Sequence, residues 1–136
     1  MNSNDASLWS QVERAADHLV RIITGFRVQI LEIERDMIDR LAAVSPEGQK
    51  CLSAARRILG AVETRLNTMN RYIQHGTEAD LRAALRLSQM PLVLVHDPMT
   101  TLITDDALPP IDPAKLQPTL EGLLARVVVQ KKRVVF

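Results

Sequence analysis

Residues 9–37 read WSQVERAADHLVRIITGFRVQILEIERDM. Apolar side chains return at Trp9, Val12, Ala16, Leu19, Ile23, Phe26, Ile30, Ile33 and Met37, in alternating steps of three and four without a slip. That is the a/d rhythm of a helix that lays one seam against another helix, sustained for about four heptads. From Ala6 to Ala43 there is no proline and a single glycine, so the reading is one long helix over that span. Leu8, Ala15, Ile22, Leu31, Ile38 and Leu41 flank the seam and widen it. A stripe this wide predicts contact with more than one neighbouring helix. The rhythm falters at Arg40, close to where the helix is expected to stop.

Working outward, Ser45-Pro46 has the form of an N-cap followed by proline at the first helical position. A second periodic run follows at Leu52, Ala55, Leu59, Val62, Leu66, Met69 and Ile73, and Gly76 is placed to end it. Two long helices joined by a few residues predict an antiparallel hairpin. At 1.5 Å per residue the first would be about 57 Å long and the second about 45 Å. The first therefore overhangs its mate, and its amino end around Leu8, Trp9 and Val12 is expected to need another partner. Thr77-Glu-Ala-Asp80 resembles a capping box with Asp in the Glu position, opening a short third helix with Leu81, Ala84, Leu85 and Ser88 on its inner face. Met90-Pro91 closes it.

Residues 91–117 are apolar yet interrupted by prolines, so they cannot form one helix. Leu92, Val93, Leu94, Val95, Met99, Leu102, Ile103 and Leu108 are too apolar to prefer water. Burial of each gains roughly 1.5–3 kcal/mol, which predicts an extended strap laid on a hydrophobic surface of this chain, another copy or a partner. Gln117-Pro118 then starts an expected fourth helix carrying Leu120, Leu123, Leu124, Val127 and Val128. The closing RVVVQKKRVVF is β-branched and compatible with the end of that helix, an edge strand, or a clamp on a partner. The division is thus 1–90 for the hairpin and third helix, 91–117 for the strap, and 118–136 for the last helix and tail, all within one domain.

Bulk composition agrees with this. Hydrophobic residues are 46% of the 136 and aromatics only 3%, the palette of packed helices and not of a β-sandwich. A net charge of +1 provides no global field toward nucleic acid or an acidic membrane. Charge is instead divided along the chain. Residues 1–43 hold seven acids and five arginines, and residues 44–90 hold four acids and seven bases, which suits pairing between the two long helices. One cysteine, Cys51, excludes an internal disulfide framework and a cysteine zinc cluster. The amino end MNSNDAS has no basic region before an apolar run, and no stretch nears the roughly 20 apolar residues that span a bilayer. A cytoplasmic setting is the expectation.

Candidate chemistry is sparse. Glu32, Asp36 and Asp39 share a helix face, but a di-iron bundle needs Glu-x-x-His pairs that are not present. Their interleaving with Arg35 and Arg40 reads as a salt-bridging face. His18 followed by Arg21 resembles histidine phosphotransfer bundles, in which an exposed His precedes Lys-Gly. Here Arg21 and Ile22 stand at those positions, without the glycine that admits a response regulator. His75 suits the helix terminus before Gly76, His96-Asp97-Pro98 reads as a turn, and Cys51 as a buried small hydrophobe. Arg56, Arg57, Arg65, Arg71, Arg82 and Arg86 could meet phosphates, yet pairing with the acidic first helix accounts for them as well.

The expectation is an all-α chain, a long coiled-coil-like antiparallel hairpin with a short third helix, an extended apolar strap and a C-terminal helix. Its expected work is binding: a non-enzymatic adaptor, chaperone-like or assembly subunit that self-associates or holds a protein partner, with no catalytic, cofactor or metal residues. Leu8, Trp9, Val12, Leu94, Leu102, Ile103, Val134 and Phe136 are the candidate partner contacts. Phosphotransfer through His18 is the alternative, and nucleic-acid binding through the arginines of the second and third helices a weaker one.

Overall fold

The computed structural model describes residues 3–39, 42–94, 109–127 and 129–131. Four helices carry almost all of it, and the fold is all-α. Helix α1 spans Ser3–Asp39 and α2 spans Pro46–His75. They run antiparallel: Arg27 pairs with Glu63 and Arg56 with Glu34, so numbers rise on one helix as they fall on the other. The first pair sets a base on α1 against an acid on α2, the reverse of the polarity expected from the charge division; the second follows it.

The caps form as read. Ser45 Oγ accepts from Gly48 N at 3.1 Å, with Pro46 at the first helical position. Gly76 ends α2 in the left-handed region at φ 70°, which glycine adopts without the strain an L side chain carries there, and its N–H donates to Tyr72 O at 3.2 Å. Thr77 Oγ1 accepts from Asp80 N at 3.1 Å and donates to Asp80 Oδ2 at 2.7 Å, opening α3 at Glu78–Gln89.

One expected boundary holds and one is corrected. The first helix ends at Asp39, beside the Arg40 where the rhythm falters, and Ala42–Val44 form strand β1. Its partner is β2, Val129–Lys131, antiparallel, with Val44 opposite Val129 and Ala42 opposite Lys131. A backbone partner from the far end of the chain thus overrides the alanines' helix propensity. The last helix opens earlier than Gln117-Pro118. Asp112 Oδ1 accepts from Ala114 N at 3.0 Å, Pro113–Lys115 form one 3-10 turn, and α4 follows at Leu116–Ala125. Asp112-Pro113 is the same cap-then-proline signal as Ser45-Pro46. Val127 lies beyond the helix, half-buried, and Val128 lies outside the described residues.

Helix α3 packs on both α1 and α2, and α4 chiefly on α2. The third position along the hairpin is therefore shared by two helices. Helix α3 follows directly on the carboxy end of α2, while Val127, just past α4, approaches Gly48 near the amino end of α2. Between them Leu92 and Ile111 exchange backbone hydrogen bonds at 2.8 and 2.9 Å, and both side chains are buried. Arg65 on α2 donates to the carbonyls of Met90 and Pro91, the second at 3.1 Å, tying this crossing to the hairpin. Burial lowers the Arg65 guanidinium pKa from its ordinary value.

The core is aliphatic. Leu19, Ile22, Phe26 and Ile30 of α1 join Ala55, Ile58, Val62 and Met69 of α2, Leu81 and Ala84 of α3, and Leu116 and Leu120 of α4. Cys51 is also buried, as a small hydrophobe.

Candidate functional site

A helix repeats its direction roughly every 3.6 residues, so successive positions turn by about 100°. On that wheel the buried set of α1, Val12, Leu19, Phe26 and Ile30, occupies one arc. Val20, Leu31 and Ile38 occupy a second, offset from the first by roughly 110°. The second arc is bare: Val20 is 45% exposed, Val28 at its edge 50%, Leu31 61% and Ile38 74%, with Trp9 at 44% near the amino end.

This corrects one expectation. The sequence pattern places Leu31 and Ile38 with Leu8, Ala15 and Ile22 as flanks of a single wide seam. Ile22 is buried, and Leu8 and Ala15 are half-buried against the core. Leu31 and Ile38 fall on the opposite flank, which neither α3 nor α4 reaches. On that flank the seam between α1 and α2 opens into two shallow grooves. One, of about 300 Å³, is bounded by Arg27 and Leu31 on α1 and by Arg56, Gly60 and Glu63 on α2. The other, of about 190 Å³, is bounded by Trp9, Glu13 and Asp17 on α1 and by Asn70 and Ile73 on α2. No residue of α3 or α4 lines either groove.

Charges along the bare flank differ in how they are held. Near Leu31, Arg27 is held by Glu63, and Glu34 by Arg56. Glu13, Asp17 and Arg35 are exposed and form no ion pair with a described residue. Glu13 and Asp17 also stand four apart on one helix, a repulsive spacing for like charges.

The other residues singled out from the sequence are dispersed. Val12, at 1% exposure, is not open to a partner, because this chain's own core covers it. Trp9 borders the second groove and remains available. Leu94 is half-buried against the core and helps line a third groove, of about 470 Å³, between α2 and residues 92–94. Leu102, Ile103, Val134 and Phe136 lie outside the described residues, as does His96. His18 and Arg21 are exposed on α1, whereas Ile22 turns into the core. Of the arginines that could meet phosphate, Arg56 is held by Glu34, Arg65 by two carbonyls, and Arg82 by Glu78 at 2.6 Å. Val20 and Val28 stand outside the seam that the three-and-four rhythm marks. The signal was present, since Val20, Leu31 and Ile38 are eleven and seven apart and share a face, but their heptad phase belongs to a second seam.

No family model, curated protein or solved structure matches this chain. No helix among the described residues is long and apolar enough to cross a membrane.

Proposed function

We propose that this chain is a helical protein–protein interaction module, an adaptor or assembly subunit that works by binding and not by catalysis. Its contact surface is the bare flank of the α1–α2 hairpin. One observation carries the reading: Val20, Val28, Leu31 and Ile38 expose between them the equivalent of about 2.3 whole aliphatic side chains along one side of one helix. Single exposed apolar residues are ordinary, whereas four along one flank of one helix, interspersed with Arg27, Glu34 and Arg35, fit a contact surface of mixed apolar and charged character. Covering this one would gain roughly 3–7 kcal/mol per chain. Association costs on the order of 4–15 kcal/mol in lost freedom, so the stripe supports reversible binding, with Trp9 adding an aromatic anchor of the kind that dominates interfaces.

The test replaces Leu31 and Ile38 together by Glu and compares complexes by native mass spectrometry, with circular dichroism as the check on folding. The expected result is full helicity with loss of whatever complex the wild type forms. Complexes that persist unchanged in the variant count against this surface. A second reading, histidine phosphotransfer, draws on the exposure of His18 beside Arg21 with Ile22 turned inward. Phosphoryl uptake from a phospho-donor that survives His18→Ala eliminates it.

A further inference from the structure

We propose that the occupant of the bare flank is a second copy of this chain, lying antiparallel along α1 with Thr24 near the two-fold axis. This rests on the interaction-module reading and names its partner.

The charges select the direction. Among the described residues the amino half of the stripe carries the unpaired acids Glu13 and Asp17 and the carboxy half the unpaired base Arg35, while Arg21 and Asp39 stand at its edge with the opposite signs. A parallel second copy would set Glu13 and Asp17 against the same acids. An antiparallel copy sets acid against base at both ends, because a two-fold interface repeats each contact.

The register follows from two kinds of residue independently. Opposing Glu13 to Arg35 of the second copy requires the axis midway between them, at Thr24. Opposing Val20 to Val28 requires the axis at Thr24 as well. The outermost apolar pair, Trp9 and Ile38, has its midpoint half a residue away, between Ile23 and Thr24. In this register Val20 stands opposite Val28, Asp17 stands opposite Leu31 of the second copy with its Arg35 one turn away, and Thr24 meets its own copy. The Glu13–Arg35 and Val20–Val28 pairs thus share one antiparallel register, and Trp9 and Ile38 extend the contact to about 44 Å of helix. A partner unrelated in sequence would give no reason for these midpoints to coincide.

Sedimentation equilibrium of the full chain across the micromolar range tests this. The expected wild type is a reversible dimer, and Leu31→Glu is expected to be monomeric with unchanged helicity, since its side chain is mostly solvated. Glu13→Arg acts at both symmetric contacts and is expected to raise the dissociation constant roughly tenfold. The exchange Glu13→Arg with Arg35→Glu should bring it back to within about threefold of wild type. In a Cys51→Ala background, Thr24→Cys should cross-link under oxidation while Gln29→Cys, on another face, should not. A wild type monomeric at every concentration, or a dimer indifferent to Leu31→Glu, overturns the proposal. A dimer lost in Leu31→Glu but not restored by the charge exchange overturns the antiparallel arrangement. If the wild type is monomeric yet Leu31→Glu abolishes a complex with a different protein, self-association fails while the interaction-module reading stands.

Discussion

Ile30 and Leu31 are adjacent, equally large and equally apolar, but the fold puts them in opposite environments. Ile30 is 6% exposed and Leu31 61%. Truncating either to Ala removes three carbons, worth about 2.4 kcal/mol of transfer free energy when all are buried. For Ile30 the unfilled cavity adds to this, so Ile30→Ala is expected to cost about 2–5 kcal/mol. Leu31 has only about two-fifths of its side chain covered, which leaves about 1 kcal/mol. Alanine's better helix propensity returns a few tenths in both cases. In a chain of this length 1 kcal/mol moves the Tm by about 3–5 °C. Thermal unfolding at high dilution should therefore fall by about 10–20 °C for Ile30→Ala and by about 5 °C or less for Leu31→Ala. Raising the protein concentration should raise the wild-type Tm by mass action and leave that of Leu31→Ala nearly flat. Equal losses for the two variants at high dilution would refute the reasoning, because Leu31 would then be packed within its own chain and the bare flank would not exist.

Leu120 on α4 is fully buried, so Leu120→Ala should lower the unfolding free energy by about 2–5 kcal/mol in urea titration, evidence that α4 completes the bundle. A Cβ at Gly48 would collide with Val44 Cγ1 and come within 3.2 Å of Ser45 Oγ. Gly48→Ala should destabilise by about 1–3 kcal/mol, and adding Val44→Ala should recover part of that loss in a double-mutant cycle. Gly76→Ala places a Cβ at φ 70°, a left-handed conformation costing roughly 1–2 kcal/mol, and calorimetry should register it as a lower Tm with no change in helix content.

The fold was largely legible because its strongest signals are local. The three-and-four rhythm predicts α1 and α2. Ser45-Pro46, Gly76 and Thr77 are capping chemistry settled within one helical turn, and the structure forms each of them. Asp112-Pro113 carries the same local signal, five residues ahead of the second proline, Pro118, that lies inside α4. Strand β1 could not be read from Ala42–Val44, since its stability comes from Val129–Lys131 at the other end of the chain.

The candidate site was less legible, and the reason is geometric. Periodicity reports that α1 has apolar residues on more than one line, but not which line the rest of the chain will cover. Val12 and Trp9 were equivalent in the sequence as ends of an overhanging helix; packing buried the first and left the second at the rim of a groove. The sequence by itself determined the caps that bound α2 and open α3, and that α1 carries more apolar surface than one neighbour needs. Only the tertiary structure decided that α3 and α4 take the Ile30 side and leave Leu31 and Ile38 bare. Burial is a property of what arrives from elsewhere in the chain, whereas a helix and its caps are settled by residues within a turn of one another.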